Sequence, residues 1–300
     1  MQGENNGSLP SGVPVRYNFS FAANTTYGCG GIAKAALCPR SEKEGASAFS
    51  RLLKSGKRFC VLGGGSNVLA QDGFYDGYVL STSRIKSLSA RVSGEDVALN
   101  VSCGVKVAEV LAFCLKEGYS GLEFLAGIPA SMGGVLYMNA GAGGEYIESR
   151  VLSVRLSDGE KVRVLSREEC NFTYKHSTMR DINCLILGAE LALKHASAKI
   201  VAANIKKRLS ERGVLPRGKS CGCVFENYCG VSAGRLIEDA GLKGAHMGSA
   251  FISEKHANFI INEGKASSDV YALIQQAKRE VYNKFGITLR EEVCYIGDFE

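Results

Sequence analysis

The chain has 300 residues, of which 45% are hydrophobic and 22% are charged. This balance is typical of a soluble globular protein, and the length suffices for one large domain or for two or three small ones. The formal net charge is +6, but no basic run or basic–aromatic alternation indicates nucleic-acid binding. No apolar stretch reaches the roughly 18 residues of a membrane span, and the polar start MQGENNGSLPSG does not resemble a secretion signal.

Eleven cysteines are scattered through the chain. An odd number without a secretion signal predicts reduced thiols in a cytoplasmic protein. Cys221 and Cys223 flank a single glycine, a spacing open to three readings: a metal-binding pair, half of a disulfide, or a reaction site. Zinc sites usually use repeated C-x-x-C pairs, which this chain lacks, and it has only four histidines. We therefore expect no metal site.

Helix and strand signals alternate in the first third of the chain, the middle third is mostly strand, and the whole pattern predicts an α+β fold. A helix is expected from the capping pair Ser41 and Glu44 to a stop at Gly56. RFCVLGGGSNVLA and YVLSTS predict strands, as do DVALNVSC and NCLILGAELAL. KVAEVLAFCLKEG predicts a helix, and VLSVRLSDGEKVRVLS predicts a hairpin that turns at Asp158 and Gly159.

The last third begins near residues 195–200, where we place a domain boundary. A helix should carry Val201, Ile205 and Leu209 on one face, and SAFISEKHANFIINEG predicts two short strands. The clearest helix is SSDVYALIQQAKREVYNKFG, and ITLREEVCYIG predicts a closing strand. The apolar stripe of that helix consists of Val270, Leu273, Ile274, Ala277, Val281 and Phe285.

Two glycine-rich stretches are candidates for ligand binding. In GGGSNVL, three glycines follow a strand and precede the donors Ser66 and Asn67, so backbone N–H groups can approach a phosphate. A plain turn is the alternative for this stretch. The second stretch, GLEFLAGIPASMGGVLYMNAGAGGE, is longer, and close strand crossings explain only some of its glycines. Together the two stretches predict a large ligand that carries phosphate.

Eight motifs in this order resemble the UDP-N-acetylenolpyruvoylglucosamine reductase family, and they cover nearly everything after residue 20. They are NTTYGCGGIA, VLGGGSNVLAQDGFYDG, GLEFLAGIPASMGGVLYMNAGA, FTYKHS, CGCVFEN, AGRLIEDAGLKG, SEKHANFIIN and LREEVCYIG. The direct run from FTYKHS into the last third resembles the shorter type of this reductase.

The resemblance implies a two-lobed FAD-binding module of the vanillyl-alcohol-oxidase (PCMH) type and a C-terminal α+β substrate-binding domain. The expected division is a polar tail at 1–20, lobe 1 at 21–83, lobe 2 at 84–197 and the substrate domain at 198–300. FAD is the implied cofactor and NADPH the implied co-substrate. A UDP-sugar enolpyruvyl ether is the implied substrate, and a cytoplasmic monomer is expected.

The resemblance also implies roles for particular residues. Cys223 takes the place of the family's catalytic serine as proton donor, which leaves Cys221 as a neighbour, and Glu292 and Lys175 are the other catalytic residues. An inert small residue is the alternative for Cys223. Tyr174, Lys219 and Asn227 would bind substrate. The implied FAD-binding residues are Gly63, Gly64, Gly65, Ser66, Asn67, Gly127, Ile128, Pro129, Ser131, Gly133, Gly134, Asn139 and Gly141.

The chain departs from the family at three positions. The family has arginine at Lys175, lysine at Glu226 and proline at Tyr228. At position 175, lysine keeps the charge of arginine but loses its bidentate fork. At position 226, glutamate replaces a positive charge by a negative one, and Lys219 or Arg217 are candidates to supply the missing positive charge. These departures keep two alternatives open: another FAD-dependent oxidoreductase, such as a sugar oxidase, and a non-catalytic flavin-binding protein.

Overall fold

A computed structural model describes residues 12–299, so residues 1–11 of the polar tail predicted at 1–20 lie outside the described part of the chain. The predicted tail is wrong for its last six residues, because Val15–Ser20 form a strand. The chain divides into two compact units. The first consists of the described residues up to Tyr17, Ala35–Gly63 and Gly77–Arg208. The second consists of Asn18–Lys34, Gly64–Asp76 and the chain from Leu209 onward. The elements mix helices and strands throughout, which confirms the predicted α+β class.

The helices are α1 (Glu42–Ser55), α2 (Val107–Glu117), α3 (Met132–Tyr137), α4 (Ala198–Arg212), α5 (Ala233–Asp239) and α6 (Ser267–Phe285). The strands are β1 (Val15–Ser20), β2 (Ile32–Leu37), β3 (Phe59–Leu62), β4 (Val68–Ala70), β5 (Phe74–Ser81), β6 (Leu88–Ser93), β7 (Asp96–Ser102), β8 (Tyr119–Ser120), β9 (Gly141–Ala142), β10 (Glu145–Tyr146), β11 (Val151–Ser157), β12 (Val162–Ser166), β13 (Leu185–His195), β14 (His246–Met247), β15 (Ala250–Ile252), β16 (Ile260–Asn262) and β17 (Cys294–Ile296). A four-stranded sheet has the order β1–β2–β5–β3. Among residues 12–299, no helix is both long enough and apolar enough to span a membrane.

The first unit is built on an antiparallel sheet in the order β12–β11–β13–β7–β6, with β8 beside β13. The predicted hairpin of β11 and β12 is confirmed, and it turns through Asp158 and Gly159. Apolar side chains of this sheet share one buried cluster with those of α2 and α3. The helix that ends at Gly118 is also confirmed.

Helix α1 shows how local sequence sets an element of this unit. Its start is confirmed, because the Ser41 hydroxyl accepts from the Glu44 N–H at 3.2 Å. The other half of the capping pair is shifted by one residue, since the Glu44 carboxylate accepts from the Arg40 N–H at 2.7 Å. Gly56 ends the helix with φ +63°.

The second unit packs around α6. Five of the six predicted stripe residues are buried, but Phe285 is 38% exposed because it is the last residue before the Gly286 cap, at the end of the helix. Leu209 was likewise predicted on a helix face and is 48% exposed, near the end of α4. The sheet of this unit has the order β14–β15–β16, and β17 pairs in parallel with β4.

The predicted closing strand is much shorter than expected, since only β17 is regular. The backbone before it bonds to other loops instead of to a continuous partner strand. Glu291 forms an isolated bridge with Phe225, and the Glu292 N–H donates to the Val224 carbonyl at 2.7 Å. The Asn67 side-chain amide donates to the Glu292 carbonyl at 2.9 Å.

Asp72 caps α6 from a distant part of the chain. Its carboxylate accepts from the backbone N–H groups of Ser267 at 2.8 Å and Ser268 at 2.9 Å. Burial works to raise the pKa of the Asp72 carboxyl, but these N–H donors together outweigh it and lower that pKa. The ionised carboxylate is therefore the stabilising form.

We expect Asp72→Ala to lower the free energy of unfolding at neutral pH by about 0.5–2 kcal/mol, the usual cost of a lost cap. Because the folded pKa is lowered, this difference should shrink as the pH falls through that folded value. Urea unfolding of both proteins at neutral and acid pH measures it. Asp76→Ala is the matched control, because the Asp76 side chain is 83% exposed. An equal loss in both variants would contradict the capping role.

Candidate active site

The two glycine-rich stretches meet within the first unit. Gly63 follows β3, and a Cβ at this position would lie 2.6 Å from Ser131 Oγ. Any side chain at Gly63 would therefore displace Ser131, which is only 2% exposed. A single ligand that reaches Gly63 would also reach the start of α3, as a large phosphate-bearing ligand requires.

The rest of the first glycine stretch lies in the second unit and is partly structural. Gly65 has φ +66°, and a Cβ there would lie 2.1 Å from the Asn24 carbonyl oxygen. The Asn67 side-chain amide donates a hydrogen bond to the Glu292 carbonyl, so it already has a partner within the protein. Gly64 is exposed and Ser66 is half-buried, so these two residues have the access that a ligand needs.

The second stretch combines accessible and packed positions. Gly127 and Pro129 are exposed, and Ile128 and Gly134 are half-buried. Two further glycines serve close contacts within the protein. A Cβ at Gly133 would lie 2.9 Å from Cys103 Cβ, and one at Gly141 would lie 2.0 Å from the Glu145 carbonyl oxygen. Gly63 and Gly134 are partly accessible and lie beside Ser131. Their backbone fits a dinucleotide cofactor, because a glycine has no side chain that would block a phosphate.

The FTYKHS motif forms a tight hairpin in the first unit. Thr173 and His176 exchange two backbone hydrogen bonds of 3.1 Å, with Tyr174 and Lys175 in the turn. Lys175 has φ +57°, in the left-handed region. The Arg180 guanidinium donates to the Lys175 carbonyl at 2.5 Å. This backbone support fixes where the Lys175 side chain begins.

Asn139 anchors this hairpin to the second glycine stretch. Its amide N–H₂ donates to the Thr173 carbonyl and to the Glu148 carboxylate, each at 2.9 Å, and its oxygen accepts from the Glu148 N–H at 3.2 Å. The side chain is 1% exposed. Its three hydrogen bonds serve the protein itself, so cofactor contact by Asn139 stays a prediction.

The thiol of Cys221 is committed to a partner within the second unit. Its Sγ donates to the Tyr27 hydroxyl at 3.3 Å. Burial is the main cause that raises the pKa of Cys221 to about 12, and Glu292 and Cys223 add to it. Cys221 is therefore a poor acid at neutral pH. The half-buried Cys223, which pairs with Phe259 across an isolated bridge, is the better candidate for proton transfer.

The neighbouring carboxylates Glu291 and Glu292 have different surroundings. Glu291 forms an ion pair with Lys278 at 2.7 Å, whereas Glu292 acts electrostatically on Cys221. The two carboxylates therefore have different partners within the second unit. Among residues 12–299, no group of three or more His, Cys, Asp or Glu side chains is arranged to hold a metal ion.

Arg212 is a feature of the site that sequence reasoning missed. Burial lowers the pKa of this guanidinium, and its electrostatic interaction with Cys223 opposes that shift. A positive charge thus acts on the Cys223 thiol. No motif in the sequence marks Arg212, since its proximity to Cys223 arises only from the fold.

Two of the predicted substrate residues, Lys219 and Asn227, and the departure at Glu226 lie within four residues of the Cys-Gly-Cys loop in the sequence, whereas Tyr174 lies in the FTYKHS hairpin of the first unit. The Lys219 side chain is exposed and runs past Gly28. The Asn227 side chain accepts from the Ala233 N–H at 3.0 Å at the start of α5. Glu226 is paired with Arg290 at 3.7 Å, so a cation balances its charge within the protein, and compensation by Lys219 or Arg217 toward a substrate stays a prediction.

Comparison with known proteins identifies both parts of the chain. Residues 33–164 match the model of an FAD binding domain, and residues 215–296 match that of the UDP-N-acetylenolpyruvoylglucosamine reductase C-terminal domain. A UDP-N-acetylenolpyruvoylglucosamine reductase of Caldicellulosiruptor bescii is 36% identical over 97% of this chain and 93% of its own. The reductase of Nitrosococcus oceani is 37% identical over 95% of each chain.

Solved structures show the same relationship. The crystal structure of the UDP-N-acetylenolpyruvylglucosamine reductase of Thermus caldophilus is similar with a TM-score of 0.78 and 29% identity, over 95% of this chain and 99% of that one. Cholesterol oxidase of Brevibacterium sterolicum shares the fold over 65% of this chain and 40% of its own, with a TM-score of 0.50 and 10% identity. These matches confirm the predicted fold of the FAD-binding module.

We expect Asn139→Asp to lower the free energy of unfolding by about 1–3 kcal/mol or more. The new carboxylate would face the Glu148 carboxylate and the Thr173 carbonyl, and both would lose their donor. Urea unfolding measures the change. Asn171→Asp is the matched control, because Asn171 also has a positive φ, +41°, but is exposed. Equal stability of the two variants would contradict the anchoring role of Asn139.

Proposed function

The chain belongs to the UDP-N-acetylenolpyruvoylglucosamine reductase family, and on that premise we propose that it uses NADPH and FAD to reduce UDP-N-acetylglucosamine enolpyruvate. The product, UDP-N-acetylmuramate, is a precursor of peptidoglycan. The observation that carries this function is the extent of the family match, which includes the FAD-binding part and the C-terminal part alike. Bound FAD supplies the redox chemistry by accepting a hydride from NADPH and passing it to the substrate.

The two glycine-rich stretches are proposed to hold FAD. The contact of Gly63 with Ser131 supports one ligand that spans both stretches. The exposed backbone at Gly64 leaves room for pyrophosphate, whose charge backbone N–H groups can bind. The region 127–141 is proposed to line the flavin and the rest of the dinucleotide. The three-part domain division, the monomeric state and the cytoplasmic location are part of the same proposal.

Cys223 is proposed to protonate the α-carbon of the substrate. An unperturbed thiol, with a pKa of about 8.5, is mostly protonated at neutral pH and is a stronger acid than a hydroxyl. Support comes from Cys221, whose pKa of about 12 and hydrogen bond to Tyr27 make it a poor proton donor at neutral pH. The positive charge of Arg212 would also stabilise the thiolate that remains after transfer.

Lys175 and Glu292 are proposed to stabilise the enolate-like charge that develops on the substrate. Lys175 offers a cation on a hairpin whose backbone is fixed by Arg180. A carboxyl group donates a hydrogen bond only in its protonated form, so this role requires Glu292 to hold a proton at that step. Tyr174, Lys219 and Asn227 are proposed to bind the sugar nucleotide.

The two alternative functions are less well supported. A sugar oxidase on the same scaffold would share the FAD-binding part, but residues 215–296 match the C-terminal domain of the reductase. A non-catalytic flavin-binding protein was suggested by Lys175 and Glu226. The ion pair of Glu226 with Arg290 removes part of that argument, because the reversed charge is balanced within the protein.

Replacing Cys223 tests the proton donor. We expect Cys223→Ala to slow the reoxidation of reduced flavin by substrate about 10²–10⁴-fold, the usual contribution of a general acid. Cys223→Ser should retain turnover, and NADPH should still reduce the flavin in both variants. Anaerobic stopped-flow measurement of each half-reaction in a single turnover gives these rates.

Cys221→Ala is the matched control for that experiment. It removes the other thiol of the loop and should slow the single-turnover reoxidation far less. If Cys221→Ala abolishes reoxidation while Cys223→Ala does not, the assignment of the proton donor is wrong.

Replacing Lys175 tests the charge at the substrate. Lys175→Arg should keep or raise activity because it adds a bidentate fork, whereas Lys175→Ala should slow flavin reoxidation by substrate more than flavin reduction by NADPH. Both variants keep a side chain at φ +57°, so backbone strain is the same. Lys116→Ala, at a side chain 82% exposed, is the control. Equal rates for Lys175→Ala and the wild type would exclude a catalytic role.

A further inference from the structure

Tyr146 lies between two regions of the proposed site within the first unit, the second glycine stretch and the FTYKHS hairpin. It belongs to β10, which pairs with β9 so that Tyr146 stands opposite Gly141. The turn between these strands is formed by Gly143 and Gly144, whose φ values are +63° and +82°, as a tight hairpin turn requires. The proposed function gives Gly141 a role toward FAD but gives Tyr146 none.

The Tyr146 ring packs directly against the glycine stretch. A Cβ at Gly141 would lie 2.8 Å from both the Cα and the Cδ1 of Tyr146. The ring therefore occupies the space that a side chain at position 141 would need. A glycine at this position lets the ring of Tyr146 lie against the backbone that is proposed to line the cofactor.

The Tyr146 ring also contacts the ring of Tyr174, one of the residues proposed to bind the sugar nucleotide. The two centroids are 6.2 Å apart, and the ring planes meet at 85°. An edge-to-face arrangement at this distance is favourable. Tyr174 lies in the hairpin turn and is 44% exposed, so the contact with Tyr146 restricts a side chain that solvent surrounds on much of its surface.

The strand that carries Tyr146 is fixed through its neighbour Glu145. Successive side chains of a strand point to opposite faces, so Glu145 can bind elsewhere while Tyr146 faces Gly141. The Glu145 carboxylate forms ion pairs with Arg208 of α4 and with Arg150, the latter at 3.7 Å. These pairs hold the backbone of β10 in place and thereby set the position of the Tyr146 ring.

The hairpin that carries Tyr174 is fixed to the same glycine stretch. The Asn139 amide donates to the Thr173 carbonyl at 2.9 Å. On the other side of the turn, the Ser177 hydroxyl donates to the Tyr137 carbonyl at 2.8 Å. The two rings thus meet from two backbones that are each held in place, so their contact can orient the more exposed ring.

We propose that Tyr146 is a positioning residue, which holds the Tyr174 ring in the orientation that binds the sugar nucleotide. The inference rests on the proposed function, in which Tyr174 contacts this substrate. Tyr146 acts through Tyr174 and touches no substrate atom. Its hydroxyl forms no hydrogen bond within residues 12–299, so the ring, and not the hydroxyl, carries the effect.

The test compares Tyr146→Leu with Tyr146→Phe. Leucine keeps an apolar side chain against Gly141 but removes the ring, whereas phenylalanine keeps the ring and removes the hydroxyl. Tyr146→Leu should raise the half-saturating concentration of the enolpyruvyl sugar nucleotide about two- to tenfold, the usual contribution of an aromatic pair. Its limiting rate of flavin reoxidation should equal that of the wild type, because no reacting group moves. Tyr146→Phe should match the wild type in both quantities.

Anaerobic stopped-flow single turnovers over a range of substrate concentrations give both quantities. The reduction of the flavin by NADPH should be the same in every variant. Tyr17→Leu is the matched control, because Tyr17 is a tyrosine of β1 in the same unit and is 69% exposed. It should change neither the half-saturating concentration nor the limiting rate.

A double-mutant cycle separates positioning from an independent contribution to binding. Tyr174→Leu alone should raise the half-saturating concentration, and adding Tyr146→Leu should raise it little further, because Tyr146 acts through Tyr174. Effects of the two changes that multiply would overturn the proposal. An unchanged half-saturating concentration in Tyr146→Leu would do the same, as would a lowered limiting rate in its place.

Two further results would contradict the positioning role. An equal loss in Tyr146→Phe and Tyr146→Leu would mean that the hydroxyl itself binds the substrate. A Tyr146→Leu protein that folds but cannot be loaded with FAD would mean that the ring supports the cofactor and not Tyr174. Failure of the wild type itself to reoxidise with this substrate would overturn the proposed function, and the inference with it.

Discussion

The backbone of Val224 links the segment of Cys223, the proposed proton donor, to the segment of Glu292, which is proposed to stabilise the enolate-like charge. Its N–H donates to the Asn258 carbonyl at 2.9 Å, and its carbonyl accepts from the Glu292 N–H at 2.7 Å. Cys223 precedes Val224 in the chain, so the hydrogen bonds of Val224 hold the backbones of Cys223 and Glu292 close together. The Asn258 side chain strengthens this support by bonding the N–H and the carbonyl of Phe225, at 2.9 and 2.8 Å. Val224 itself is fully buried, which keeps water away from these hydrogen bonds.

This support explains why short, irregular segments can carry reacting groups. A loop exposed to solvent would leave a thiol free to rotate, whereas the Cys-Gly-Cys loop is bonded on several sides. Asn262 also holds the segment that leads into this loop. Its N–H donates to the Lys219 carbonyl at 2.9 Å, and its side chain donates to the Tyr27 carbonyl at 2.8 Å. Tyr27 in turn accepts from Cys221. The order of the loop therefore depends on residues distant from it in sequence.

Local elements could be predicted from the sequence, and long-range partners could not. The start of α1 follows from Ser41 and Glu44, because a capping pattern acts within four residues. The meeting of Asn67 with Glu292, 225 residues apart, leaves no local pattern. The same holds for Cys221 and Tyr27, which are 194 residues apart. The motifs identified the candidate residues, but the partners that set their acidity and position came only from the fold.

The closing strand shows the same limit in another form. Apolar residues after Glu292 predicted a long strand, yet only β17 has a regular partner, because the preceding backbone bonds to Val224 and Phe225. Propensity indicates that a segment can be extended. It does not indicate which neighbour will pair with it. Here the irregular pairing is useful, since it brings the Glu292 backbone to the loop that carries Cys223.

The most direct test of the reductase function is an anaerobic absorbance titration of the purified protein. We expect an oxidised flavin spectrum that NADPH bleaches and that the enolpyruvyl sugar nucleotide then restores in the absence of oxygen. A protein that takes up FAD and is bleached by NADPH, but stays bleached after this substrate is added, would contradict the account.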